Sequence, residues 1–485
     1  MATHHYQHFI NNQKVDSTGG QTIPVIDPSE GIEFARIARG TTEDIDRAVA
    51  AARAAFGALG DGAWGKLAPR ERGRLLEKLA QLVDRHKDEL ARVESQDVGK
   101  PMRQARADVT ALMRYCEFYA GAADKFYGDV IPYPSIYTVL AMREPHGVTG
   151  QILPWNYPIQ VFGRSCIPAL AAGNTCVVKP SEDACLSVLL AARLAAEAGF
   201  PPGAINVVTG YGHEAGAALA AHPDVDHVAF TGSPHVGKLV AQASAEHYHP
   251  VVLELGGKSP QILFEDANLD LALPVIVNGI IQNAGQTCVA GSRVLVERSI
   301  YNEVVERLSA KFRTLVAAPS SRDPDLGPLI RATQLERVRG FVESAERDGL
   351  EIVARGTIAS DAPRGGFYHA PVLIRDVPAE HRLAQEEIFG PVLCAMQFAS
   401  ENEAVSLANN TRYGLAAAVW TRDGARQLRV ARRLSCGQVY VNNFGAGGGV
   451  ELPFGGVKQS GYGREKGMEA LSSLTRLKTI ILKHD

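Results

Sequence analysis

The strongest constraint on the fold is a regular alternation of short apolar runs and helical segments between residues 147 and 255. The apolar runs predict strands at 148–153, 175–179, 205–209, 227–231 and 251–255. The segments between them predict helices at 158–172, 183–198, 213–221 and 235–245. A strand–helix alternation repeated in this way is typical of a parallel sheet with helices on both faces. The sequence therefore predicts the α/β class.

The flanking regions carry further patterns. Apolar spacings of three and four predict helices at 70–97, ending before Gly99, and at 103–125. The second half predicts helices at 270–284, 299–316 and 331–348, with a strand at 293–296. Segments 136–142 and 475–482 alternate like strands but stand apart from this rhythm. We expect them to pair with each other or with another subunit.

Composition excludes several classes of protein. Of 485 residues, 46% are apolar and 21% are charged, which fits neither a disordered nor a fibrous chain. A net charge of −3 gives no reason to expect nucleic acid or a membrane surface as partner. Seven cysteines without a CxxC pair, and no signal peptide, favour a cytoplasmic protein. The histidines lack metal-ligand spacing, so we expect no metal.

Three polar residues stand at positions where chemistry is expected. Cys288 ends an uncharged, helix-like segment in a glycine-containing turn, Glu254 ends an apolar strand, and Asn156 directly follows another strand. A thiol is a nucleophile, a carboxylate in an apolar wall is a general base, and an amide stabilises an oxyanion. A buried core cysteine, a turn-capping glutamate and a turn-forming asparagine are the structural alternatives, which these residues alone leave open.

Two glycine loops compete as a phosphate-binding site. Gly210 begins a G-x-G-x-x-A loop, but the acidic residue expected about 20 positions later is missing. The loop with Gly232 and Ser233 also lies between a strand and a helix, whose N-terminus suits a pyrophosphate. Lys179 and Glu182 end another strand. Together they suit either ribose binding or a surface ion pair.

These residues belong to motifs that occur in the order seen in one family. The chain resembles the NAD(P)-dependent aldehyde dehydrogenases over nearly its whole length, through PWNYP (154–158), KPSE (179–182), FTGSPHVG (230–237), LELGGKSP (253–260), GQTC (285–288), EEIFGPV (386–392) and PFGG (453–456). The resemblance implies a Rossmann-like cofactor domain (1–125 and 146–256), an α/β catalytic domain (257–455) and a small β oligomerisation arm (126–145 and 466–485). It also implies a homodimer or homotetramer.

The resemblance assigns a role to each site. Cys288 would attack the aldehyde, Asn156 would hold the oxyanion, and Glu254 would activate the water that hydrolyses the thioester. The residues implied as contacts of the cofactor are Trp155, Lys179, Glu182, Gly232, Ser233, Leu255, Glu387 and Phe389. Since Glu182 would repel a 2′-phosphate, we expect NAD rather than NADP. A CoA-acylating relative would lack the glutamate base, so Glu254 argues against that alternative.

The substrate tunnel departs from many relatives. Arg164 and Ser165 stand where those relatives carry Trp-Lys, which puts a proton relay to Glu465 in doubt. The residues expected to contact substrate are Tyr157, Gln160, Arg164, Gln282 and Phe444. They suggest a small-molecule aldehyde that carries a carboxylate or hydroxyl groups, unless Arg164 pairs internally with an acid. The glycine-rich loop 443–451 is expected to shape the mouth of the tunnel.

Overall fold

The structure, a computed structural model, describes residues 4–445 and 449–484. Residues 446–448 of the predicted mouth loop lie outside the described residues. Over the described ranges the α-helices, numbered in chain order, are α1 (Thr42–Phe56), α2 (Pro69–Arg85), α3 (Lys87–Val98), α4 (Met102–Ala122), α5 (Pro158–Ala172), α6 (Leu186–Ala198), α7 (Ala217–Ala220), α8 (Pro234–Ala245), α9 (Leu269–Ile281), α10 (Tyr301–Phe312), α11 (Ala332–Arg347), α12 (Arg382–Gln385), α13 (Glu401–Asn409), α14 (Gly424–Ala431) and α15 (Glu469–Ser473).

The strands of the same ranges are numbered in the same way. They are β1 (His4–Tyr6), β2 (His8–Ile10), β3 (Gln13–Val15), β4 (Thr22–Asp27), β5 (Ile32–Ala38), β6 (Asp129–Ile131), β7 (Tyr137–Pro145), β8 (Val148–Ile152), β9 (Thr175–Lys179), β10 (Ile205–Val207), β11 (His227–Thr231), β12 (Val251–Glu254), β13 (Pro260–Leu263), β14 (Arg293–Glu297), β15 (Val316–Ala317), β16 (Ile352–Arg355), β17 (Thr357–Ile358), β18 (Val372–Ile374), β19 (Val392–Phe398), β20 (Ala416–Trp420), β21 (Gln438–Val441), β22 (Gly461–Tyr462) and β23 (Thr475–Lys483).

The predicted strand–helix alternation forms the centre of an eight-stranded sheet with the order β22-β12-β11-β8-β9-β10-β2-β3. The strands from β12 to β10 run parallel, and the outer pairs β12 with β22, β10 with β2 and β2 with β3 are antiparallel. The chain order reverses between β8 and β11. Open α/β sheets bind ligands outside the carboxyl ends of the strands at such a reversal, so this edge is where a site is expected.

A second sheet of seven strands has the order β16-β18-β19-β14-β13-β20-β21, and all of its pairs are parallel except β16 with β18. Its two faces are covered by separate buried clusters that include Phe264 and Phe312. The two sheets together confirm the predicted α/β class. The division into domains at 256 and 455 stays a prediction.

The two isolated alternating segments pair with each other, which is the first of the two predicted alternatives. β23 runs antiparallel to β7 along its whole length, from Thr475 opposite Pro145 to Lys483 opposite Tyr137. β6 joins the other edge of β7 and completes a three-stranded sheet.

Several helix bounds differ from the prediction. The helix predicted at 70–97 is two helices, because His86 adopts φ −99° and ψ 14° and its ring bonds Glu89 in the first turn of α3. Segment 213–221 begins as a π-helical turn, Gly212–Gly216, before α7. The helix predicted at 270–284 ends at Ile281, because the backbone turns into the left-handed region directly afterwards. A periodic pattern of side chains does not report these local backbone changes.

Candidate active site

A cavity of about 1020 Å³ lies at the carboxyl end of the parallel strands of the first sheet. Its wall also includes residues that come before strands of the second sheet in the sequence. Asn156 reaches it from the loop after β8, Ser233 from the loop after β11, and Glu254 from the end of β12. Cys288 faces the same cavity from the turn between α9 and β14. The three predicted catalytic side chains, which are far apart in sequence, therefore border one space.

The turn that carries Cys288 has a strained backbone. Asn283 and Ala284 adopt φ values of 48° and 53°, a region that side-chain-bearing residues rarely occupy and that costs of order 1–3 kcal/mol per residue. Gly285 follows at φ 76°, and a side chain there would begin 2.2 Å from the Gly390 oxygen. Such a turn persists only where the surroundings fix it. Gln104 contributes by accepting a 2.8 Å hydrogen bond from the Asn283 backbone N–H.

Asn156 is fixed in orientation by bonds on both its side chain and its backbone. Its Nδ2 donates a 2.9 Å hydrogen bond to the Gln286 carbonyl, two residues before Cys288. Its own carbonyl accepts one from Nδ2 of Asn283 at 2.9 Å. A side-chain amide has two N–H donors, so one remains for an oxygen inside the cavity.

Glu254 is buried and chemically unusual. The residue is 2% exposed, and among the described residues neither carboxylate oxygen has a hydrogen-bond partner. Burial, followed by repulsion from Glu465, raises the pKa of Glu254 well above its ordinary value. A carboxylate held in this way takes up a proton more readily than a solvated one, which is the property a general base requires.

The thiol of Cys288 is held mainly in its protonated form. Burial raises its pKa to about 11. The positive charge of Arg164 and a hydrogen bond from the backbone of Val289 act in the opposite direction and favour the thiolate. The site therefore contains both a thiol to activate and a nearby base of raised pKa.

Arg164 pairs internally with an acid, the alternative that the sequence left open. Its guanidinium forms an ion pair with Glu465 and donates a 2.9 Å hydrogen bond to Thr231 Oγ1. It also lies 5.0 Å from the ring centroid of Phe454. Ser165 donates a 2.8 Å hydrogen bond to the same Glu465 carboxylate. Arg164 still lines the cavity, but its charge is largely engaged by protein groups.

The other residues predicted to contact substrate divide into two groups. Tyr157, Gln160 and Gln282 line the cavity. Phe444 is not among its described lining residues, and its ring packs against Tyr440 with centroids 5.4 Å apart. Tyr440 itself lines the cavity, so Phe444 stands behind the wall rather than in it.

Most residues predicted to contact the cofactor line the same cavity. The members of this group are Trp155, Gly232, Ser233, Leu255, Glu387 and Phe389. Ser233 caps α8 by accepting the Val236 backbone N–H at 3.3 Å. Glu387 accepts the Gly257 N–H at 3.0 Å, and burial raises its pKa to about 7. The rings of Trp155 and Phe389 meet edge to face with centroids 5.3 Å apart.

Lys179 and Glu182 lie at the same sheet edge but beyond this cavity. Their charged atoms are 2.9 Å apart, and Lys179 is 2% exposed, so the pair is not a surface ion pair. A side chain at Gly212 would begin 4.0 Å from the Lys179 ammonium, which puts the loop that begins at Gly210 beside the pair. The two competing glycine loops thus follow neighbouring parts of one sheet edge.

Lys466 and Lys100 are among the cationic residues at this site that the sequence did not predict. Lys466 lines the cavity, and burial lowers its pKa to about 8. Lys100 is buried and bonds the Asn156 carbonyl at 2.9 Å. The only signal for Lys100 was a cation directly after the helix-ending Gly99, a position that more often faces solvent.

Comparison with known proteins identifies the family. A model described as the aldehyde dehydrogenase family matches residues 14–480. The chain belongs to this family. Membership confirms the predicted enzyme class, an aldehyde dehydrogenase.

Individual relatives match over almost their whole length. A Burkholderia cenocepacia structure assigned to the aldehyde dehydrogenases is 62% identical, with a TM-score of 0.97 over 99% of this chain and 100% of that one. An NAD+ complex of aldehyde dehydrogenase from Bacillus cereus is 40% identical, with a TM-score of 0.95 over 99% and 97%. A hydroxyisobutyraldehyde dehydrogenase from Mycolicibacterium austroafricanum is 42% identical over 97% of this chain and 92% of its own.

No group of three or more His, Cys, Asp or Glu side chains in residues 4–445 and 449–484 is arranged to hold a metal ion. None of the helices in those ranges is both long and apolar enough to cross a membrane.

Proposed function

We propose that this aldehyde dehydrogenase oxidises an aldehyde to the carboxylic acid with NAD, using Cys288 as nucleophile, Asn156 as oxyanion donor and Glu254 as general base. The supporting observation is that these three side chains border one cavity together with a capped helix N-terminus. The Bacillus cereus relative, solved with NAD+, supports the choice of cofactor.

In the first step, the Cys288 thiol releases its proton to solvent and the sulfur adds to the carbonyl carbon. Arg164 favours the thiolate, which offsets part of the effect of burial. The carbonyl electron pair moves to oxygen, and the free N–H of Asn156 donates to this oxyanion. One such donor is worth about 10²–10³ in rate. The product is a thiohemiacetal on Cys288.

The cavity residues fit a dinucleotide. Ser233 and the N-terminus of α8 offer backbone donors to a pyrophosphate, and the carboxylate of Glu387 suits ribose hydroxyls. Glu387 approaches the backbone closely, since a side chain at Gly256 would begin 2.3 Å from its Oε2. Trp155, with Phe389, Gly232 and Leu255, would complete the wall. A dinucleotide held by these residues would supply the hydride acceptor, and loss of hydride from the substrate carbon would leave a thioester on Cys288.

The thioester is then hydrolysed. Glu254 removes a proton from water as the water oxygen adds to the thioester carbon. The carbon–sulfur bond breaks, the acid departs, and the proton held by Glu254 passes to the sulfur, which restores the Cys288 thiol and the Glu254 carboxylate. The raised pKa of Glu254 follows chiefly from burial, which makes this carboxylate a strong enough base for the step.

Preference for NAD over NADP is proposed from Glu182. Burial acts to raise its pKa, but the charge of Lys179 and hydrogen bonds from Lys179 and from the backbone of Glu182 and Gly212 together outweigh burial, lower the pKa and keep the carboxylate ionised. The ionised Glu182 carboxylate beside Lys179 would accept hydrogen bonds from ribose hydroxyls and would repel a 2′-phosphate. A higher kcat/KM with NADP than with NAD would contradict this assignment.

For the substrate we propose an aldehyde that carries hydroxyl or carboxylate groups. Tyr157, Gln160 and Gln282 give the cavity polar groups, and Arg164 adds positive charge that Glu465 partly neutralises. The relative named for hydroxyisobutyraldehyde is consistent with such a substrate. NADH production across aliphatic, aromatic, hydroxy- and carboxy-aldehydes tests the proposal, and a preference for unsubstituted aromatic aldehydes would contradict it.

We also propose a homodimer or homotetramer in the cytoplasm. The three-stranded sheet exposes apolar side chains, among them Val130, Leu477 and Ile481, each more than half exposed. A monomer rarely leaves such side chains uncovered on a strand edge. Sedimentation as a monomer would contradict the assembly. The seven cysteines are all free thiols, as expected in a reducing compartment.

The decisive test separates acylation from hydrolysis. Cys288→Ser should abolish NADH formation, whereas Glu254→Gln should still release a burst of NADH and then stall at the thioester. Full activity of Cys288→Ser would refute the mechanism. Acceleration by CoA instead of water would favour the acylating alternative.

A further inference from the structure

Lys100 is one of the most completely buried charged groups in the described chain. The residue lies between α3 and α4 and is 1% exposed. Its ammonium donates to Asp108 at 2.5 Å, to Glu94 at 3.1 Å and to the backbone carbonyl of Asn156 at 2.9 Å. An ammonium has three N–H donors, so these three acceptors use its whole capacity. Of these three hydrogen bonds, the one that does not go to a carboxylate goes to the backbone carbonyl of Asn156.

The ammonium is held rigidly as a charge. Burial acts to lower the pKa of Lys100, but attraction to Asp108 and Glu94 outweighs burial and raises it. Glu94 is fixed in turn by a 2.6 Å hydrogen bond from Ser187. Lys100 therefore holds its position through helices α3, α4 and α6, which form part of the main buried core.

From Asn156 the contacts continue to the turn that carries Cys288. The carbonyl that accepts the Lys100 ammonium also accepts Nδ2 of Asn283 at 2.9 Å. The Asn156 side chain donates to the Gln286 carbonyl at 2.9 Å. Asn283 and Ala284 are the two residues of this turn whose backbone lies in the left-handed region despite bearing a side chain. The bonds made by Lys100 and Asn156 thus meet at the strained part of the turn.

A second route runs through Tyr157. The Lys100 nitrogen lies 4.3 Å from the centroid of the Tyr157 ring, within the range of a cation–π interaction. The Tyr157 hydroxyl is 2.7 Å from Thr287 Oγ1, and Thr287 directly precedes Cys288. One ammonium therefore contacts both residues that connect the loop after β8 to the nucleophile.

We propose that Lys100 is a positioning residue for the dehydrogenase reaction. Its ammonium holds the Asn156 amide and the Cys288 sulfur in the relative position that the attack on the aldehyde requires. The inference rests on the proposed function, because it assigns to Lys100 an effect that acts through Asn156. No substrate or cofactor atom needs to touch Lys100.

The primary test is Lys100→Met, measured by the single-turnover rate of NADH formation. A displacement of about 1 Å in a reacting group costs about 10² in rate, and we expect a loss of that size. The KM for NAD should change little, because Lys100 is remote from Ser233 and Glu387 in its contacts. A purely structural defect would instead alter both parameters or reduce the active fraction.

A double-mutant cycle with Asn156→Ala distinguishes positioning from general damage. Asn156→Ala alone should lose about 10²–10³ in rate. In that background, Lys100→Met should cost little more, because the side-chain amide, one of the two groups whose relative position Lys100 maintains, is already absent. Losses that simply multiply would overturn the inference, as would a Lys100→Met enzyme with the wild-type single-turnover rate.

Arg72→Met is the matched control. Arg72 is also a buried cation, 8% exposed, but donates to the carbonyls of Leu67 at 2.6 Å and Ala171 at 3.1 Å, outside the site. It should lower thermal stability and leave the single-turnover rate of the folded fraction unchanged. If Lys100→Met does not fold, Lys100→Met with Asp108→Asn replaces it, which removes a buried carboxylate together with the ammonium.

The same experiments separate the two proposals. Full activity of Asn156→Ala would refute its role as the oxyanion donor, which belongs to the proposed function. A slow Asn156→Ala enzyme combined with a fast Lys100→Met enzyme would refute only the positioning role of Lys100.

Discussion

Replacing Gly256 by alanine should disturb the cofactor site without touching the nucleophile. A methyl group at this position would begin 2.3 Å from Oε2 of Glu387 and 2.8 Å from its Oε1. Non-bonded heavy atoms rest at about 3.5–4.0 Å, so the Glu387 carboxylate must retreat by roughly 1 Å. That retreat breaks the 3.0 Å hydrogen bond that Glu387 accepts from Gly257.

The size of the effect follows from this hydrogen bond. A hydrogen bond to a charged group contributes about 1.5–3 kcal/mol. If this whole free energy is lost from the contact between Glu387 and the ribose, the dissociation constant of NAD rises by roughly 10- to 150-fold, since each 1.4 kcal/mol changes a dissociation constant about tenfold. The rate of thioester hydrolysis should be nearly unaffected, because the three heavy atoms nearest to the added methyl group all belong to Glu387.

The dissociation constant of NAD is measured by isothermal titration, and hydrolysis of a preformed thioester is followed separately. Gly340→Ala is the matched control. Gly340 lies within α11 with nothing within 4 Å of an added methyl group, so this variant should be about 0.5–1 kcal/mol more stable and should bind NAD normally. A folded Gly256→Ala enzyme with unchanged NAD affinity would refute the reasoning about Glu387.

Four further outcomes are expected. Ser233→Ala removes the cap of α8 and should cost about 1 kcal/mol in the free energy of unfolding, measured by chemical denaturation. Arg164→Leu leaves Glu465 buried without its counter-ion and should lower the free energy of unfolding by about 3–5 kcal/mol. Adding Glu465→Leu should recover part of this loss. A single variant as stable as the wild type would show that the ion pair is unimportant for stability. Glu182→Ala should raise kcat/KM for NADP relative to NAD by roughly tenfold or more. The reason is that the Glu182 carboxylate and a 2′-phosphate about 4 Å away would repel each other by about 4 kcal/mol at an intermediate dielectric constant. An unchanged ratio of the two kcat/KM values would contradict the role of Glu182. Because Glu254 acts as a base only when deprotonated and its pKa is raised, thioester hydrolysis should slow as pH falls through that raised pKa, and a flat pH–rate profile would argue against Glu254.

Local patterns in the sequence predicted much of the fold. The strands at 175–179 and 227–231 and the helix at 158–172 have the predicted bounds. Each is a buried segment that ends at a glycine or a polar residue. The change in hydrophobicity along the sequence therefore coincides with the change in backbone conformation. The positions of Asn156 and Glu254 at strand ends also predicted their place in a site, because the carboxyl ends of parallel strands lie at one edge of the sheet.

What the sequence did not predict depends on contacts between distant segments. Glu465 lies about 300 residues after Arg164, and no periodicity indicates that the two form an ion pair. No glycine marks the left-handed backbone at Asn283 and Ala284, and of the two residues only asparagine adopts this conformation readily. It is compatible with folding only because Gln104 and Asn156 supply bonds from other parts of the chain.

The pairing of β23 with β7 has a consequence for biosynthesis. β7 leaves the ribosome about 340 residues before its partner, a delay of roughly 20–70 s at 5–20 residues per second. During that interval β7 presents an unsatisfied edge on a nascent chain whose first sheet is still being completed, since six of its eight strands follow β7 in the sequence. Premature termination anywhere before Thr475 would make this exposure permanent, and such fragments should be substrates for chaperones and proteases.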